Sequence, residues 1–225
     1  MSEPSLAERV ERVESEMTDA ARSAGRSRDE LTLIVVTKFH PAQLIRDLSA
    51  LGLGDFGENR HQEAREKAVE LADLDARWHF VGQLQSKKAR QAREYASVVH
   101  SVDRSALVDR LAEGEHPLDV FLQVNLTDDP ERGGVRPEEL LALTEEVAAR
   151  DGLRLLGVMG VAPLEGEPRA AFARLRALGD EVRTVVPTAT SMSAGMSHDF
   201  ADAIAEGATH LRIGTAITGI RPPRD

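Results

Sequence analysis

Two stretches of this chain carry residues that could act together on a phosphorylated aldehyde. The first is Leu31-Thr32-Leu33-Ile34-Val35-Val36-Thr37-Lys38, an apolar, β-branched run that ends in a lysine. Burial at such a strand end disfavours the ammonium form and leaves more free amine to attack a carbonyl carbon. The plainer alternative is a lysine that snorkels to solvent. The second stretch is Arg212-Ile213-Gly214-Thr215, where a glycine followed by a small hydroxyl residue offers open N–H groups to an anion. A Schiff base on Lys38 and a phosphate at Gly214 and Thr215 together point to pyridoxal 5'-phosphate.

Further residues fit the same chemistry. Ser193 and Ser197, in Ser193-Ala194-Gly195-Met196-Ser197-His198-Asp199, offer hydroxyls ahead of an expected helix, although Ser197 alone would serve as an ordinary cap. Arg212 stands two residues before Gly214, so on a strand both share one face. A buried arginine there needs an acceptor, which is either a core carboxylate or the pyridine nitrogen of the cofactor. Because a guanidinium keeps its proton, the second choice would leave that nitrogen unprotonated and the ring a weak electron sink.

Asn59 ends the run Phe56-Gly57-Glu58-Asn59 and could contact the ring oxygen or cap the next helix. His79 is a candidate cofactor contact or a satisfied core histidine, and Met159 a face for the ring or plain core. None of these stands at metal-ligand spacing from a second histidine or carboxylate, so no metal is expected.

These side chains meet only if strand ends converge. After an amphipathic helix with Leu6, Val10, Val13 and Met17 on one stripe, strands are expected at 31–36, 54–57, 77–82, 98–102, 119–125, 154–160, 188–192 and 210–215. Helices are expected between them, at 41–51, 62–74, 87–95, 105–112, 137–150, 168–186 and 198–206. This alternation implies a single-domain α/β protein over residues 1–225, a (β/α)8 TIM-type barrel with an extra N-terminal helix. An open doubly wound sheet is the alternative. In a barrel, function belongs at the C-terminal strand ends, and a phosphate site from the loops after strands seven and eight is a recurring feature. Leu126–Gly134, after strand five, is expected as a mobile loop over the mouth or a solvated acidic turn.

Composition narrows the classes of partner. A net charge of -10 over 225 residues repels nucleic acid and anionic membranes. With no cysteine, disulfides, thiolate catalysis and cysteine zinc sites are excluded. The start, Met1-Ser2-Glu3-Pro4-Ser5, lacks the order of a secretion signal, and no apolar run approaches a membrane span, so a cytoplasmic protein is expected. Without an evident exposed aromatic patch, a monomer is expected.

With these residues in place, the chain resembles the pyridoxal phosphate homeostasis protein family, single-domain relatives of the alanine racemase N-terminal barrel. The resemblance runs from about Leu31 to Gly219. It is carried by Val36-Thr37-Lys38, Phe56-Gly57-Glu58-Asn59 with Gln62-Glu63, Trp78 through Lys87, His100-Ser101-Val102-Asp103-Arg104, Gln123-Val124-Asn125, Gly195-Met196-Ser197 and Arg212 through Ile217. It implies pyridoxal phosphate on Lys38, the pyridine nitrogen facing Arg212, and phosphate held by Ser197, Gly214 and Thr215. It further implies storage or delivery of the cofactor to apo-enzymes without a settled catalytic activity. Arg60, Lys87 and Ala194 depart from the usual pattern, where an aromatic, an asparagine and a methionine are expected.

The competing reading is a pyridoxal-phosphate-dependent amino-acid racemase, which needs a base on each face of its substrate. Lys38 supplies one. In the two-domain racemases a tyrosine from a partner's second domain supplies the other, and the single tyrosine here, Tyr95, falls on an expected outer helix. A non-catalytic carrier is therefore expected, with no catalytic residue assigned. A lysine Schiff-base aldolase acting on a phosphorylated sugar would leave Arg212 without a role.

Overall fold

The computed structural model describes residues 3–129 and 131–220, so Met1, Ser2, Pro130 and residues 221–225, and the expectations that touch them, lie outside the described residues. Helix α1 (Leu6–Ser23) starts where Ser5 and Glu8 cap each other, the Ser5 hydroxyl accepting from the Glu8 N–H and the Glu8 carboxylate from the Ser5 N–H. Its buried stripe is Val10, Val13, Met17 and Ala21, the three- and four-residue steps of an amphipathic helix.

Eight parallel strands follow: β1 (Thr32–Val36), β2 (Asp55–Glu58), β3 (Arg77–Phe80), β4 (Val98–Val102), β5 (Leu118–Gln123), β6 (Leu153–Met159), β7 (Ser191–Ser193) and β8 (His210–Ile213). They pair in sequence order, and β8 returns to β1 with Thr32 opposite His210 and Val35 opposite Ile213, so the sheet closes into a barrel. The open-sheet alternative is thereby excluded. The crossover helices are α2 (Ala42–Ala50), α3 (His61–Glu70), α4 (Ala89–Ala92), α5 (Ser105–Ala112), α6 (Leu140–Ala148), α7 (Pro168–Val185) and α8 (Phe200–Ala205). A short α9 (Thr215–Thr218) follows the last strand.

Three elements differ from expectation for local reasons. β7 is Ser191–Ser193 rather than 188–192, because after Pro187 the chain makes tight turns, Ala189 N–H to Val186 O and Thr190 N–H to Thr188 O. The helix expected over 87–95 breaks into a 3-10 turn, the four-residue α4 and further three-residue bonds such as Tyr95 N–H to Ala92 O. α9 was not legible, since its turn rests on Gly214 O accepting from both Ile217 and Thr218 N–H.

Outward strand residues such as Leu33, Val35, Phe56 and Phe80 form one core with the helices, including Phe172, Leu175 and Val182 of α7. Burying a side chain the size of Phe172 contributes roughly 2–3 kcal/mol. The barrel interior is different in kind. Its apolar part includes the small cluster Val98, Phe121 and Met159, and around it stand the buried polar residues His79, His100, Ser193, His210 and Arg212. α1 packs across the closing seam against α8 and α9, and Arg9 Nε donates to Ile217 O at 2.6 Å.

Candidate functional site

A cavity of about 340 Å³ opens at the C-terminal ends of the strands. β1 delivers Lys38 to it by simple alternation. Ile34 and Val36 face the interior, where a Cβ placed on Gly57 would meet both at 3.1 and 3.2 Å. Lys38, two residues beyond Val36, shares that face, lines the cavity and is half-buried. Among the described residues no hydrogen bond or ion pair engages its Nζ, which stands 6.0 Å from the Phe39 ring centre.

The chain leaves β1 immediately after the lysine through Phe39, whose φ of 68° is uncommon for a residue with a side chain. A buried charge cluster holds this turn. The Phe39 N–H donates to Glu63, and the Thr37 hydroxyl to Glu58 Oε1 at 2.7 Å. Lys67 Nζ donates to Thr37 O at 2.9 Å and to Glu58 and Glu63 at 2.7 Å each. With three donors engaged, Lys67 is spent on structure. Burial pushes the Glu58 carboxyl up from its ordinary value, against the pull of Lys67 and Thr37. Outside the turn, the Arg60 guanidinium stacks 4.9 Å from the Phe39 ring centre.

Asn59 follows β2 and lines the cavity, with its buried Oδ1 lacking any partner among the described residues. A buried acceptor without a donor is uncommon and is where a ligand hydroxyl would fit. It does not cap α3, whose first turn has no side-chain cap. Gly82 makes the approach possible, since a Cβ there would lie 2.2 Å from the Asn59 carbonyl oxygen.

Arg212 forms part of the floor with 5% of its surface exposed. Nη1 donates to Ser193 Oγ at 2.6 Å and Nη2 to Gly160 O at 2.9 Å. Burial brings its pKa down to about 10, and Asp199 opposes this only through space. No ion pair with a core carboxylate forms among the described residues, so that alternative from the sequence is not realised. Remaining guanidinium N–H groups stay available to a ligand.

Beyond the end of β8, Gly214 and Thr215 come together with Ser197, and the Ala216 N–H donates to Ser197 Oγ at 3.4 Å. A Cβ on Gly214 would meet nothing nearer than Val36 at 3.7 Å, so the space above this backbone is open. Met159 closes another side of the cavity.

Lys38, Asn59, Met159, Ser197, Arg212, Gly214 and Thr215 thus share one cavity, whereas two expected contacts lie beneath it. Ser193 is fully buried at the end of β7, its hydroxyl turned into the barrel toward Arg212 and His100. The strand expected over 188–192 ends one residue short of it, which leaves Ser193 in the loop. His79 is the satisfied core histidine of the plainer alternative, bonded to Asp55 and His100. The Leu126–Gly134 loop contributes no described residue to the cavity; Asn125 pins it by donating to Asp129 O and Arg132 O. Residues the sequence did not single out also line the site, notably Gly82 and His198. His198 could have been found from its place between Ser197 and the next helix.

The family model for the alanine racemase N-terminal domain matches residues 17–222. Over 223 residues, 96% of each chain, this protein is 44% identical to the pyridoxal phosphate homeostasis protein of Pseudomonas aeruginosa. The chain belongs to the pyridoxal phosphate homeostasis protein family. Another family member, from Aquifex aeolicus, is 38% identical over 222 residues, 95% of this chain and 97% of its own. PipY of Synechococcus elongatus PCC7942 is 37% identical and aligns over 96% of this chain and 100% of its own, with a TM-score of 0.85 without PLP and 0.83 with PLP bound. Alanine racemase from Corynebacterium glutamicum, at 16% identity and a TM-score of 0.72 over 94% of this chain and 61% of that one, shares the barrel.

Proposed function

We propose that the cavity holds pyridoxal 5'-phosphate and that this cytoplasmic, monomeric chain stores the cofactor or delivers it to apo-enzymes, serving vitamin B6 homeostasis without turning over a substrate. The observation that carries this reading is one cavity joining the Lys38 amine to a buried Arg212 guanidinium, neither of them in an ion pair with a carboxylate among the described residues. Lys38 holds the cofactor as a Schiff base, Arg212 faces the pyridine nitrogen, and Met159 flanks the ring. Asn59 offers its orphaned oxygen to a ring hydroxyl. Ser197, Gly214 and Thr215 hold the phosphate. PipY, a relative solved with PLP bound, supports the assignment.

When bound, the cofactor supplies an aldehyde for the amine and a pyridine ring whose electron demand follows the charge on its nitrogen. Arg212 keeps its own proton, so it donates to that nitrogen without protonating it and keeps the demand low. This suits retention of the cofactor better than amino-acid chemistry. Tyr95 is no second base, since its hydroxyl pairs with His61 Nδ1 at 3.3 Å and it is absent from the cavity lining. His198 does line the cavity and is the observation that favours the alternative, a pyridoxal-phosphate-dependent amino-acid racemase.

The test is to load the protein with pyridoxal 5'-phosphate, reduce it with borohydride and map the labelled lysine by mass spectrometry. The label is expected on Lys38; a label on Lys67 or another lysine, or none, refutes the reading. Incubation with single enantiomers of several amino acids decides the alternative, for which inversion at ~1 per second or faster is required.

A further inference from the structure

Beneath the cavity floor, side chains from five strands form one hydrogen-bonded line. Asp55 Oδ1 at the start of β2 lies 2.8 Å from His79 Nε2, and His79 Nδ1 lies 2.9 Å from His100 Nε2. His100 Nδ1 lies 2.8 Å from Ser193 Oγ, which also accepts from Arg212 Nη1 at 2.6 Å. The Asp55 side chain is 29% exposed, whereas His79, His100, Ser193 and Arg212 are buried. The line therefore runs from a partly wetted carboxylate at the lower rim to the guanidinium under the cavity.

A single placement of protons satisfies every link with both histidines neutral. A guanidinium only donates, a carboxylate only accepts, and a neutral imidazole does one of each. Ser193 receives a proton contact from Arg212 and gives its O–H to His100 Nδ1. His100 then gives Nε2–H to His79 Nδ1, and His79 gives Nε2–H to Asp55. Reversing the histidine links would leave a bare His79 Nε2 facing the carboxylate, and repairing that requires an additional proton.

The surroundings favour this placement. Burial pushes His79 below the ordinary imidazole value and His100 well below it. Burial opposes ionisation of Asp55, yet the hydrogen bond with His79 and the nearby Arg77 charge help outweigh it, and its carboxyl is held below the ordinary value. Aligned hydrogen bonds in a poorly screened interior also polarise one another.

We infer that Asp55, His79, His100 and Ser193 are positioning residues, a one-way relay that fixes the Arg212 guanidinium on the cavity floor and brings to it the counter-charge of a carboxylate at the opposite end of the barrel. Its consequence for ligand binding rests on the cofactor reading above; the relay itself does not. It gives the three buried polar groups between Asp55 and Arg212 a common role.

The experiment begins with ligand-free protein carrying nitrogen-15 at histidine and arginine. At about pH 7.5, where free histidine is mostly neutral, His79 and His100 are both expected as Nε2–H tautomers. Arg212 is expected to show separate Nη signals, because its rotation is hindered. Ser193→Ala should average those signals, and Ser193→Thr, which keeps the hydroxyl, should preserve them. In the loaded protein Ser193→Ala should weaken pyridoxal 5'-phosphate binding about tenfold and shift its absorption band, as loss of a hydrogen bond to a charged group predicts. An Nδ1–H tautomer at either histidine overturns the relay, as do Arg212 signals equally resolved in Ser193→Ala. If the unsubstituted protein took up no pyridoxal 5'-phosphate while tautomers and Arg212 signals came out as expected, the cofactor reading would fall and the relay would stand.

Discussion

Acidification should unfold this protein through its buried histidines, and His210 lets the effect be sized. Burial first, then nearby positive charge such as that of Arg77, brings its pKa from 6.5 down to about 4. Below 6.5 the unfolded chain takes a proton there that the folded chain refuses, so stability rises with pH across this window and falls as acid is added. Each pH unit of refusal is worth ~1.4 kcal/mol, so the loss between about pH 6.5 and 5 is ~2 kcal/mol from His210 alone. His79 and His100 are shifted in the same direction and add to it. The assay is urea unfolding followed by circular dichroism from about pH 5 to 7.5, on the protein and on His210→Gln. The variant should lie closer to the parent at the acid end by ~2 kcal/mol, because it has no imidazole to protonate. A constant difference across that range would refute the neutral, buried state assigned to His210.

Three further outcomes test the site and its supports. Lys67→Met leaves the buried Glu58 and the half-buried Glu63 without their cation, and should lower stability by about 3 kcal/mol or more in thermal or urea unfolding. Gly82→Ala sets a methyl 2.2 Å from the Asn59 carbonyl, so it should cost about 1–3 kcal/mol and weaken cofactor uptake by displacing Asn59; unchanged stability and uptake would mean the loop has slack. Arg212→Glu should protonate the pyridine nitrogen, shift the absorption band and raise transamination-like side reactions with added amino acids, whereas an unaltered spectrum would speak against that contact.

The barrel was legible because Leu31–Lys38 and the runs after it are strands covered on both faces, with helical stripes such as Val10, Val13 and Met17 between them. Lys38 and Arg212 followed from strand alternation, which needs only the position of the strand. Ser193 was misplaced because the expected strand, 188–192, stops one residue short of the end of β7, which turns a buried end residue into a loop residue. The Asp55, His79, His100 and Ser193 line was invisible for a different reason. Its members are far apart in sequence, and each alone is an ordinary polar residue on a strand; only closure of the barrel brings them within hydrogen-bonding range. The Glu58, Glu63 and Lys67 cluster was equally hidden, although Glu63 and Lys67 stand one helical turn apart.

Closure of the ring between β1 and β8, with Arg9 reaching across to Ile217, also orders events in time. On the ribosome Lys38 emerges early, but its counterparts at Arg212 and Gly214 emerge only as synthesis nears its end, and contacts this distant in sequence form late. A nascent chain therefore presents the Lys38 amine without its pocket. Loading with cofactor has to wait until the last strand has docked, and premature termination anywhere upstream yields a polypeptide that cannot be rescued by adding the vitamin.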